Sequence, residues 1–170
     1  MKWYKHIVFF LVMTVAPLSA ITDGCDLPGG TLYLSDDNDG SVLYNSPAGC
    51  TYYDEQSQFV ISYDQDECSA QEDPELFDGN IGGFQFNVDG ATINSASGGA
   101  AGDAGFMVSS SATTALGFSL SGATIPSGEG ILVVLDLAGT PESLSGIVVS
   151  DPIGQDMDFT YDAGGDGGDW

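Results

Sequence analysis

Gly83-Phe84-Gln85-Phe86-Asn87-Val88-Asp89 decides the fold class. Its large apolar residues fall on every second position, so in an extended chain Phe84, Phe86 and Val88 share one face while Gln85 and Asn87 occupy the other. Working outward, the same two-residue period recurs in short runs punctuated by Gly, Asp, Ser and Pro. On the carboxyl side the runs are 91–96, 106–109, 116–121, 131–137, 145–150 and 157–161; on the amino side they are 58–63, 41–45 and 31–34. In 116–121 the alternation places Leu116, Phe118 and Leu120 inward. The run 131–137 is almost continuously apolar and reads as a central strand buried on both sides. Phe84, Phe86, Phe118 and Ile131 are the expected core residues.

Only 99–104 and 74–77 can hold a helical turn. With strands about ten residues apart and no crossover helices, the expected fold is an all-β antiparallel sandwich. Asp36-Asp37-Asn38-Asp39-Gly40 reads as the turn of the first hairpin, because Asn, Asp and Gly tolerate positive φ.

The amino terminus has the layout of an export signal. Lys2 and Lys5 precede an apolar run from Ile7 to Ala16, and small residues follow in Pro17-Leu18-Ser19-Ala20. Residues 1–20 are therefore expected to be a signal peptide, residues 21–161 the folded β-sandwich, and the protein secreted, extracellular or at the cell surface. A transmembrane helix needs about 20 apolar residues, and no stretch here reaches that length, so no membrane insertion is expected. Thr22-Asp23-Gly24 before Cys25 does not fit a lipid-anchoring site.

Lys2, Lys5 and His6 are the only cationic or imidazole side chains in the sequence. Removing the leader takes the formal charge from −23 to −25. Such a chain cannot neutralise phosphates, which excludes nucleic acid and anionic membranes as partners. Without His or Lys there is no Ser-His or Cys-His pair, no Schiff-base lysine and no imidazole zinc ligand. Carboxylate-pair or oxygen-ligated metal chemistry survives on inventory alone, but the expectation is a protein that is not an enzyme.

Three cysteines, Cys25, Cys50 and Cys68, sit in a chain expected to meet an oxidising compartment. All three pairings are open; Cys50 with Cys68 is favoured because they bracket an acid-rich segment that gains most from a local staple, leaving Cys25 free or joined to another chain. The segment 50–80, with nine Asp and Glu residues, reads as an acidic insertion running over the surface. Residues 162–170, rich in Gly and Asp, read as a linker or tail.

Four stretches carry a family resemblance. Ile81-Gly82-Gly83-Phe84-Gln85-Phe86-Asn87-Val88-Asp89 resembles the early strand of cohesin domains, and Leu116-Gly117-Phe118-Ser119-Leu120-Ser121-Gly122-Ala123 their middle strand. Pro126-Ser127-Gly128-Glu129-Gly130-Ile131-Leu132-Val133-Val134-Leu135-Asp136-Leu137 is similar to the strand that follows. Leu144-Ser145-Gly146-Ile147-Val148-Val149-Ser150-Asp151 resembles the near-final one. The resemblance implies a jelly-roll β-sandwich of about nine strands and a non-catalytic module that binds dockerin domains in polysaccharide-degrading or cell-surface assemblies. The hairpin and the segment 50–80 depart from the family's opening.

Candidate sites divide into two. Asp36, Asp37 and Asp39 before Gly40 evoke a calcium loop, although Ser35 stands in the first ligand place and no Glu follows at the twelfth, so a plain acidic turn is the competing reading. Asp64, Asp66 and Glu67 form a second acidic cluster, and Asp151, Asp156 and Asp158 a third. Tyr52 and Tyr53 lie in a tyrosine-rich third of the chain and could stack on sugar rings or anchor an interface, or simply pack. The function expected is a secreted binding or scaffolding module for a dockerin-like protein, with a carbohydrate-binding module or an acidic structural, adhesive surface protein as alternatives.

Overall fold

The computed structural model describes residues 21, 23–35, 39–56 and 58–164. The expected signal at 1–20, Asp36 and Asp37 of the turn, and residues 165–170 of the tail lie outside them. Ten strands are described: β1 (Thr31–Leu34), β2 (Ser41–Ser46), β3 (Gly49–Tyr53), β4 (Phe59–Ser62), β5 (Glu75–Phe77), β6 (Gly83–Ser97), β7 (Met107–Ser110), β8 (Thr114–Phe118), β9 (Gly128–Ser150) and β10 (Thr160–Tyr161). Two short helices accompany them, α1 (Gln65–Ala70) and α2 (Gly99–Asp103). The protein is all-β, with two sheets.

The larger sheet has the order β10-β1-β2-β9-β6-β8-β7, and its axis is the antiparallel ribbon of β6 and β9. That ribbon turns a corner at Gly90. Between the pairs Asp89↔Ser143 and Ala91↔Gly139, the three residues Thr140, Pro141 and Glu142 stand opposite Gly90 alone, a bulge that bends both strands. Gly90 has φ +83°, and a Cβ there would lie 2.7 Å from Glu142 Cγ and 2.8 Å from the Thr140 carbonyl oxygen, so only glycine fits. On one side of the corner the ribbon borders β8 and β7; on the other, β9 carries β2, β1 and β10.

Both arms feed one core. Phe84, Phe86, Ala115 and Val149 come from the first arm, and Leu32, Val42, Ile93 and Leu132 from the second, all buried in a single cluster. Burying a side chain of the Leu or Phe class contributes roughly 1.5–3 kcal/mol, and this shared burial fixes the arms against each other. β9 is the middle strand of the seven, and both Leu132 and Val133 are fully buried. The pairings are antiparallel except β1 with β10, which run parallel.

Several sequence expectations are corrected. The runs 83–89 and 91–96 are one bent strand, as are 131–137 and 145–150. Leu116, Phe118 and Leu120 do not point inward: Ala115 and Gly117 do, because the rings of Phe84 and Phe86 fill the space beneath β8 and leave room only for small residues. Ile131 is likewise exposed, and the burial passes to Leu132 and Val133. The residues 74–77 form β5 and not a helical turn, since Glu75 to Phe77 pair with β3. The helix lies instead at Gln65–Ala70.

The segment 50–80 is not a bare loop. It supplies most of the second sheet, ordered β4-β3-β5, whose central strand begins at Gly49. Its cross-strand register puts Cys50, Ser62 and Leu76 in one row, and Thr51, Ile61 and Glu75 in the next, on the opposite face.

Candidate functional site

Two faces of the protein are organised by side-chain contacts or register, and they differ in chemistry. The first is the covered face of the second sheet. Cys50 and Cys68 form a disulfide, with Cα atoms 5.8 Å apart, that ties α1 to β3. Asp64 caps the helix by accepting from the amides of Asp66, at 2.8 Å, and Glu67, at 3.3 Å. Glu67 then reaches back to the sheet, where Tyr52 Oη donates to Oε1 at 2.5 Å and Ser62 Oγ donates to Oε2 at 2.6 Å.

These bonds, that from Ser62 first, hold the Glu67 carboxyl below its ordinary range. The same contact with Glu67 raises the Tyr52 hydroxyl. Glu67 therefore takes one hydroxyl donor from each of two adjacent strands, β3 and β4. The cluster is a clamp. Tyr52 belongs to it, whereas Tyr53 alternates to the open face, exposed, and meets Phe59 edge to face with ring centroids 5.7 Å apart. The structure therefore separates the two tyrosines that the sequence set side by side.

The remaining acidic candidates are turn builders. Asp39 accepts from the amide and hydroxyl of Ser41, at 2.8 and 2.9 Å. Asp151 accepts from the amides of Ile153 and Gln155, at 2.9 and 2.7 Å, and Asp156 from the amide of Asp158, at 3.1 Å. Among the described residues no three His, Cys, Asp or Glu side chains converge in a way that could hold a metal ion. Cys25 is exposed and outside the disulfide. No described helix is long and apolar enough to cross a membrane.

The second face is the outer surface of the arm formed by β9, β6, β8 and β7. Register places Val148, Gln85, Leu116 and Ser109 in one row, and Ser150, Gly83, Phe118 and Met107 in the next outward row. Ser145, Asn87 and Thr114 continue the surface, with Thr114 Oγ1 donating to Asn87 Oδ1 at 2.7 Å. None of these positions is acidic, in a chain with 25 Asp and Glu residues.

Met107, Val148 and Leu116 stay 52%, 47% and 38% exposed there. They stand among hydroxyls and amides that can donate and accept without the desolvation cost of a charge. Comparison with family models, with curated proteins and with solved structures finds no match to this chain. Sequence reading missed this face because it took Leu116 as core; the signal that finds it is the absence of Asp and Glu from 104–118 together with 144–150.

Proposed function

We propose that the chain is a secreted, non-catalytic binding and scaffolding module, a cohesin-like jelly-roll sandwich whose neutral outer face docks a dockerin-like protein in an extracellular assembly. One observation carries this reading: apolar and neutral polar residues from four adjacent strands share a face whose carboxylates, Asp89 beside Ser143 and Asp156 beside Ser150, stand only at its margins, although the chain is otherwise crowded with them. Interfaces are depleted in Asp, Glu and Lys at their centre and enriched in residues such as Met. The reading is supported by where the cohesin-like wording falls, since 81–89, 116–123 and 144–151 supply neighbouring strands of this arm. The absence of Lys, Arg and His beyond His6 supports a role in recognition.

Capture on immobilised dockerin domains at millimolar calcium tests the proposal. Retention of the chain by at least one dockerin is expected, and loss of retention in Leu116→Glu, which leaves the fold intact because the side chain is partly exposed. Failure of every dockerin, or retention that ignores Leu116→Glu, contradicts it.

The pairing of exposed Tyr53 with Phe59 favours a second reading, polysaccharide binding. Retention on polysaccharide columns that survives Tyr52→Ala and Tyr53→Ala removes it.

A further inference from the structure

Apart from the neutral face, one groove runs between the open side of the second sheet and the loop that follows β9. Its volume is about 770 Å³. Phe59, Ile61, Ile153 and Met157 line it, and Phe59 and Ile153 are 58% and 78% exposed. Singly exposed apolar side chains are ordinary, but several converging on one groove mark an interaction site. Glu75, Asp78, Asp151, Asp156 and Asp158 line the same groove.

Amides hold Asp78, Asp151 and Asp156 in their turns, but no cationic side chain meets these carboxylates, because no Lys, Arg or His exists beyond His6. Both sides are built firmly. The sheet side is held from behind by the Cys50–Cys68 disulfide and the Glu67 clamp, and the loop side by the amides of Ile153 and Gln155 bonded to Asp151.

We propose that this groove binds a basic, apolar segment of a partner protein, its aliphatic side chains covering Phe59 and Ile153 and its Lys or Arg side chains meeting the acidic rim. Charge complementarity selects the occupant. A second copy of this chain brings no cation from residues 7–170, and an acidic or neutral peptide leaves five carboxylates facing a desolvated interface. A purely cationic ligand leaves the apolar lining wet. The groove adjoins the neutral face where Asp156 bridges to Ser150, but its apolar lining comes from other residues and the inference does not depend on that face.

The test uses a short labelled peptide of alternating Lys and Leu, with Lys/Ser and Glu/Leu peptides as controls, titrated into the purified chain by fluorescence anisotropy. The Lys/Leu peptide is expected to bind about tenfold or more tightly than Lys/Ser, as anchoring apolar contacts at an interface do. The double variant Phe59→Ser/Ile153→Ser should erase that advantage with little change in the unfolding midpoint, since both side chains are largely exposed. Glu75→Gln/Asp156→Asn should flatten the salt dependence.

Leu116→Glu on the neutral face should leave the peptide's affinity unaltered, which separates this inference from the dockerin reading. An advantage that persists in the double variant, or equal binding of the Glu/Leu peptide, overturns the proposal. So does competition by a soluble oligosaccharide or by calcium, or a dimer of the chain that the double variant dissolves.

Discussion

Tyr52 donates its hydroxyl proton to Glu67 Oε1 at 2.5 Å, joining β3 to α1 across the covered face of the second sheet. The contact shifts both partners, the Glu67 carboxyl downward and the Tyr52 hydroxyl upward. Because the folded carboxyl titrates below its ordinary value of 4.5, its contribution is complete above that pH and fades as pH falls through the lower folded value. Tyr52 behaves oppositely: its contribution is complete below its ordinary value of 10.0 and is lost only as pH rises through the higher folded value. Glu67→Gln should therefore lower the urea midpoint at neutral pH and lower it less in acid well below 4.5. A difference that does not change with pH would show that the charge on Glu67 takes no part.

The disulfide closes a segment with a sequence separation of 18. A loop of this length stabilises by roughly 3 kcal/mol through restriction of the unfolded chain. In Cys50→Ala/Cys68→Ala, amide exchange should quicken in β3, β4 and β5, with β6 and β9 little affected. Equal acceleration throughout would mean that the second sheet and the body unfold as one unit.

Packing beneath β8 gives a contrast that fixes its phase. Phe86→Ala should cost about 3–5 kcal/mol, and Gly117→Ala about 1–3 kcal/mol, because its methyl group meets the ring of Phe84. Leu120→Ala should stay within roughly 0.5 kcal/mol, as expected for an exposed position. Chemical denaturation of the three variants checks the order, and a large loss in Leu120→Ala would restore the alternation first expected from the sequence.

Self-repulsion among uncompensated carboxylates should make stability depend on salt. Screening falls from about 30 Å at 0.01 M to about 8 Å at 0.15 M, so the thermal midpoint should rise over that interval. A midpoint indifferent to salt would mean that the charges are spaced too widely to oppose folding.

The β character was legible because alternation is local: Phe84, Phe86 and Val88 announce one buried face, and all three are buried. The inward face of β8 was not, since Ala115 and Gly117 are chosen by the volume of Phe84 and Phe86 across the core, which no local period reveals. The helix at Gln65–Ala70 left a signal that went unused, an N-cap Asp64 followed three residues later by Glu67. Pro74 suggested a helix start, but cross-strand pairing with β3 overrode it. The neutral face left a trace in the acid-free stretches 104–118 and 144–150, whereas the acid-rimmed groove emerges only from the docking of distant segments.

Isothermal titration of a captured dockerin against the wild-type chain and Leu116→Glu tests the docking face most directly. The account predicts measurable affinity for the wild type and a loss of about tenfold or more when a charge enters the centre of the neutral surface. Equal affinities for the two proteins would contradict it.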